Sequence, residues 1–158
     1  MFFKWLRENY PECLCVGPST TGGDNIKFGK GDSEDAGVGG IEQLAAETCN
    51  CSDLLDGTTE PLDVFSYHYY NGVSERLASV MPNAHWSAEE ANSEAYLETA
   101  LNFAHTYVPL RDKYVPGGEM WVTESGDAGG GGDTWASTYL DVFRTLNELV
   151  DLLRLQTV

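Results

Sequence analysis

The chain is short of positive charge. Nine Lys and Arg stand against 25 Asp and Glu, a formal net charge of −16. Such a surface repels nucleic-acid phosphates and anionic lipid, so neither nucleic acid nor membrane is an expected partner. Long apolar runs are missing too, and without about 18 apolar residues in a row no membrane-spanning helix is expected. The opening apolar segment is cut short by Lys4, with Arg7 and Glu8 following. That is not the pattern of a signal peptide, so no export signal is read here and the compartment stays unassigned. CxxC spacing is also missing. The four cysteines form two CxC pairs, Cys13/Cys15 and Cys49/Cys51. A four-cysteine zinc site commonly uses CxxC, so small core residues in CLCV and loop cysteines in TCNC are the favoured reading. Cys13 and Cys15 are expected on one strand face, and no metal or cofactor is expected.

What is present points to one folded domain over residues 1–158. Hydrophobic residues make up 42% of the chain, enough for a core and too many for a disordered segment. Phe2, Trp5, Leu6 and Tyr10 have helical spacing, ended by Pro11. CLCVGPS, residues 13–19, reads as a short buried strand. Residues 19–40 carry seven glycines and four acids and read as a long polar loop. A helix is expected over about 40–55.

LDVFSYHYYNG, residues 62–72, is the clearest strand, rich in Val, Phe and Tyr and closed by Asn-Gly. A helix is expected after Ser87, which forms an S-x-x-E capping box with Glu90. It continues through Tyr96, Ala100, Phe103 and Tyr107, with Pro109 as an end or kink and the glycines at 117 and 118 as the stop. EMWVTES, residues 119–125, reads as a third strand, followed by a glycine loop over 126–132. Asp133 or Thr134 is then expected to cap a helix carrying Trp135, Tyr139, Val142, Phe143, Leu146 and Leu149. Alternating helices and strands imply βαβ units and a parallel sheet. Three strands are a small sheet for 158 residues with no obvious closing partner, so two architectures stay open: part of a larger barrel, whose open edges would make it prone to self-association, and a small independent α/β domain.

Three motifs in this order, VGPS, DVFSYHYYNG and WVTESGDAGGGG, resemble glycoside hydrolase family 79, the heparanase-like and β-glucuronidase family. The resemblance runs over about residues 1–149. It implies strands five to seven of a (β/α)8 barrel, with Glu124 as the nucleophile of a retaining mechanism. Barrel enzymes place their chemistry at the C-terminal ends of strands, where Glu124 is expected. The resemblance further implies that Tyr69 donates a hydrogen bond to Glu124, and that Tyr67 and His68 line the substrate pocket. Gly129, Gly130 and Gly131 match a cradle for the carboxylate of a sugar acid. Without Cβ atoms, their N–H groups can approach an anion closely. By period-two alternation, Tyr67 and Tyr69 share one face and His68 takes the other. At the loop after VGPS, Gly22 stands where the family often has a polar side chain. The parent enzyme is implied to be secreted or extracellular, with a uronide or glycosaminoglycan-like carbohydrate as substrate.

The family's Asn-Glu-Pro acid/base motif does not occur in this sequence. Retaining hydrolysis needs two carboxyl groups about 5 Å apart, so this chain alone is expected to be inactive. Residue by residue, plainer readings compete. Glu124 can be a solvated turn acid, the glycines a flexible linker, and the tyrosines core aromatics. His85 and His105 read as surface or packing residues, and Asp127 as solvated. The alternative function is a small α/β domain that binds an anionic ligand through the glycine loop.

Overall fold

The computed structural model describes residues 2–21 and 50–156. Their elements are α1 (Phe2–Asn9), β1 (Val16–Thr20), α2 (Cys51–Asp56), β2 (Val64–Val73), a 3-10 turn (Pro82–Ala84), α3 (Glu94–Leu97), α4 (Thr99–Tyr114), β3 (Glu119–Gly129) and α5 (Tyr139–Gln156). The chain is therefore α/β. Its sheet has three parallel strands in the order β1-β2-β3. Gly22, Cys49, most of the polar loop and the first part of the helix expected over 40–55 lie outside the described residues.

The core follows from the β2 sequence. Phe65, Tyr67 and Tyr69 alternate onto one face and are almost fully buried. There they meet Phe103 and Tyr107 of α4, with Tyr67 stacked on Tyr107 at a centroid separation of 4.5 Å. Cys51 and Leu55 of α2 and Met120 of β3 join the same cluster, against which Leu152 and Leu155 of α5 pack. All three helices thus cover the same face. A second cluster, Trp86, Ala91, Tyr96 and Trp135, ties the segment after β2 to the segment after β3. Trp86 Nε1 donates to the carbonyl of Asn71 at 2.9 Å, which fixes that cluster beside the C-terminal end of β2.

Several local expectations shift. The strand expected from residue 13 begins at Val16, so Cys15 is buried while Cys13 is exposed, and the two do not share a face. The expected box at Ser87 forms by half: Ser87 N–H donates to Glu90 Oε2 at 2.9 Å. It closes a turn, and the helix starts later, where the Ser93 hydroxyl accepts from Tyr96 N–H at 3.3 Å. α4 runs through Pro109 without ending there. β3 continues four residues past Ser125, because Gly126, Ala128 and Gly129 pair with Tyr70, Gly72 and Val73. Neither Asp133 nor Thr134 caps α5. The Thr138 hydroxyl accepts from Leu140 N–H at 3.3 Å instead.

Candidate functional site

Two one-residue irregularities shape the sheet where chemistry is expected. Between β1 and β2 the register skips Ser19, and between β2 and β3 it skips Thr123. Ser19 has φ 58, a left-handed conformation unusual for a residue with a Cβ. The Ser19 hydroxyl lies 2.8 Å from that of Ser66, and Thr123 Oγ1 donates to Ser19 Oγ at 3.3 Å. The skipped residues of both outer strands are thus joined by hydroxyls across the middle one.

The irregularity at Thr123 decides where Glu124 points. Met120 and Val122 pack into the helix-covered core. In a regular strand Glu124 would follow them onto that face, beside Tyr67 and Tyr69. The extra residue reverses the alternation. Glu124 pairs in register with His68, and its Oε2 lies 3.7 Å from His68 Nδ1. The Glu124 side chain is 55% exposed and that of His68 is 26% exposed. One step further, Tyr70 pairs with Gly126, and its ring lies against both Gly126 and Gly129. Glu124, His68 and Tyr70 form the open face: a carboxylate, an imidazole and an aromatic ring, with small residues beside the ring.

The expectation for Tyr69 is corrected. Its hydroxyl pairs with Thr99 Oγ1 at 2.7 Å, on the helix side of the sheet, and not with Glu124. Burial raises its pKa well above the usual tyrosine value, so it stays protonated. Tyr67 is corrected likewise. It lies in the helix-side core and lines a cavity there, away from the Glu124 face. The alternation of His68 to the opposite face holds, and the skipped Thr123 brings Glu124 to it.

The glycines do not meet Glu124 either. A strand rises ~3.3 Å per residue, so Gly129 stands roughly 17 Å further along β3 than Glu124. That exceeds the span from the anomeric carbon to the carboxylate of one pyranuronate ring. Gly129 is a strand residue. Gly130 and Gly131 take positive φ values of 85 and 113 and form the turn. Over this turn sits Arg76, whose Nη2 donates to the Gly130 carbonyl at 2.5 Å. Its guanidinium fills the space that a Cβ on Gly131 would enter, but it is the φ of 113, which residues with a Cβ rarely adopt, that makes the turn favour glycine there.

Arg76 was not legible as part of this loop, since 54 residues separate it from Gly130 and no motif contains it. Asp127 is not simply solvated. It accepts from Asp133 N–H at 2.9 Å, closing the turn. Asp133 in turn accepts from Glu75 N–H at 2.9 Å and lies 3.7 Å from His85 Nδ1. Burial raises the Asp133 pKa. Among the described residues no group of three or more His, Cys, Asp or Glu is placed to hold a metal ion. No described helix is long and apolar enough to cross a membrane. Compared with models of known protein families and with curated proteins, the chain matches none.

Proposed function

We propose that this chain is part of the catalytic (β/α)8 barrel of a retaining glycosidase acting on uronic-acid-containing glycans or glycosides, and that Glu124 is its nucleophile. The observation that carries this reading is the placement of Glu124 beside His68 and next to Tyr70, on the face that α2, α4 and α5 leave open. Helices on one face of a parallel sheet suit a barrel wall, whose other face lines the interior. In the reaction, a Glu124 oxygen bonds to the anomeric carbon as the bond to the leaving oxygen breaks. His68 fixes the orientation of the carboxylate, and the Tyr70 ring offers a surface for a sugar ring. The leaving oxygen takes its proton from a second carboxyl group. No described carboxylate is in contact with Glu124, and Asp127 is committed to the Asp133 amide.

This division of labour sets the test. A 2-deoxy-2-fluoro-β-glucuronosyl fluoride expels fluoride without needing a general acid, and its fluorosugar ester hydrolyses slowly. Incubation with the purified chain is expected to give a covalent adduct in the intact mass, mapped to Glu124 by peptide sequencing. Glu124→Gln is expected to abolish it. Turnover of a nitrophenyl glucuronide should stay undetectable, since loss of an acid/base group costs about 10²–10⁴-fold. Absence of the adduct from the folded chain, or an adduct that survives Glu124→Gln, would sink the reading.

A further inference from the structure

Ser19 is an unusual residue for its position. Its φ of 58 is a conformation that disfavours any residue with a Cβ and that glycine adopts freely. A serine kept there brings something that glycine lacks, and its hydroxyl is what the surroundings use. Ser19 Oγ lies 2.8 Å from Ser66 Oγ and accepts from Thr123 Oγ1 at 3.3 Å. Ser66 is fully buried, so that end of the row of hydroxyls is anchored. Thr123 Oγ1 also reaches the Tyr67 carbonyl, at 3.4 Å. The β2–β3 register shifts between Tyr67 and His68, and the β1–β2 register shifts between the partners of Ser66 and Tyr67. Both irregularities therefore meet at one level of the sheet, and Glu124 directly follows Thr123.

We propose that Ser19 and Thr123 are positioning residues for Glu124, their hydroxyls pinning the displaced segment of β3 to the buried Ser66. The register beyond the skip does not need them, since the pairs from His68–Glu124 to Val73–Gly129 hold it. What the hydroxyls fix is the pose at the skip itself. β3 is an edge strand of the described sheet, so β2 is its one strand neighbour among the described residues. Without the pin, the carboxylate that follows Thr123 drifts relative to His68, and a misplacement of about 1 Å is enough to slow a reaction roughly 100-fold. The strain kept at Ser19 fits the same role, because a disfavoured backbone persists where the surrounding contacts over-determine it. The chemical consequence rests on Glu124 as nucleophile, whereas the geometric one does not.

Three variants of the full chain separate these contributions. Thr123→Val keeps the branched shape and removes the hydroxyl, Ser19→Gly relieves the backbone and removes the other hydroxyl, and Thr123→Ser keeps a hydroxyl. Labelling by the fluorosugar is resolved into a half-saturating concentration and a limiting rate constant per folded molecule. Thr123→Val and Ser19→Gly are expected to lower the limiting rate constant about 10-fold at unchanged half-saturation, and Thr123→Ser to recover most of it. A shift of the urea midpoint with that rate constant unchanged would show a purely structural role and overturn the proposal. The second readout needs no chemistry. The backbone order parameter of Glu124 from amide relaxation should fall in Thr123→Val and Ser19→Gly and keep its wild-type value in Thr123→Ser. If the wild type forms no adduct, the glycosidase reading fails and the order parameters alone decide. An order parameter at Glu124 unchanged in Thr123→Val and Ser19→Gly overturns the positioning role, with or without an adduct.

Discussion

Tyr69 separates two accounts of one side chain. The family resemblance gives its hydroxyl to the nucleophile, whereas the structure gives it to Thr99, which also accepts from Asn71 Nδ2 at 2.8 Å and donates to the Tyr96 carbonyl. Thr99 is therefore the hub of a small buried network between β2 and the start of α4. Removing the Tyr69 hydroxyl takes away one bond of that network and should cost roughly 0.5–1.5 kcal/mol of stability. Tyr69→Phe is accordingly expected to lower the urea midpoint while the rate of fluorosugar labelling at Glu124 stays the same per folded molecule. A labelling rate that falls tenfold or more at unchanged stability would return Tyr69 to the nucleophile. What made this residue misleading is physical. Tyr67 and Tyr69 do share a face, as a period of two requires, but a single skipped residue, Thr123, moves Glu124 to the other one. Irregularities of this kind leave no composition signal, and the Thr-Glu sequence reads as an ordinary strand end.

Elements were easier to read than their contacts. β2 was legible because its apolar, β-branched and aromatic residues exceed what a loop can bury, and α1 because its aromatics recur at helical spacing and Pro11 follows. The end of β3 was not legible: Gly126 to Gly129 look like loop, yet they pair because β2 extends to Val73 beside them. The seating of α1 was hidden as well, since Arg7 reaches the Pro61 carbonyl at 2.6 Å and the Asp63 carboxylate, both distant in sequence. Asp63 Oδ2 accepts from Cys15 N–H at 2.7 Å, at the start of β1, and the same side chain meets Arg7 of α1 at 3.2 Å. The Cys15 amide first, and then Arg7, hold its pKa below the ordinary 3.8. A depressed carboxylate pKa adds stability that is present above the unfolded value and lost as pH falls through the folded one. Asp63→Asn should therefore be less stable than the wild type near neutral pH, with the gap closing as pH drops below 3.8. Urea midpoints of both proteins across this acid range check it, and a gap independent of pH would assign the loss to packing.

At the scale of the whole molecule, α5 shows an inverted distribution of its side chains. The spacing of Tyr139, Val142, Phe143, Leu146 and Leu149 marks one apolar face, continued by Val150 and Leu153, and a face like that normally points to a core. Here all seven are exposed, Tyr139 by 83%. Arg144, Glu148 and Asp151 are the buried ones. Arg144 binds Asp141 and Glu148 at 2.5 and 2.6 Å, so Glu148 is paired, while Asp151 accepts from Asn147 Nδ2 at 2.9 Å and lies 3.9 Å from Arg154. A buried pair of this kind offsets its own desolvation and adds little net stability. The helix is held instead by Leu152 and Leu155 against one cluster and Leu140 against the other. Seven large apolar side chains in one stripe form a patch larger than a solitary molecule usually exposes. β1 and β3 add the edges of the described sheet, with backbone groups available for pairing. Burying even half of such a stripe against another apolar surface is worth several kcal/mol at about 25 cal/mol per Å². The net charge of −16 opposes close approach only weakly once salt screens it, over ~8 Å at physiological strength. Sedimentation velocity at rising protein concentration should therefore give a weight-average mass above the 17.3 kDa of one chain. Raising salt should increase association, because the attraction is apolar and the repulsion electrostatic. Leu146→Lys with Leu149→Lys should shift the chain toward 17.3 kDa without unfolding it, since both residues are already exposed. If the wild type sediments as a single 17.3 kDa species at all concentrations, the stripe is not an association surface, and the small independent domain becomes the stronger description of this chain.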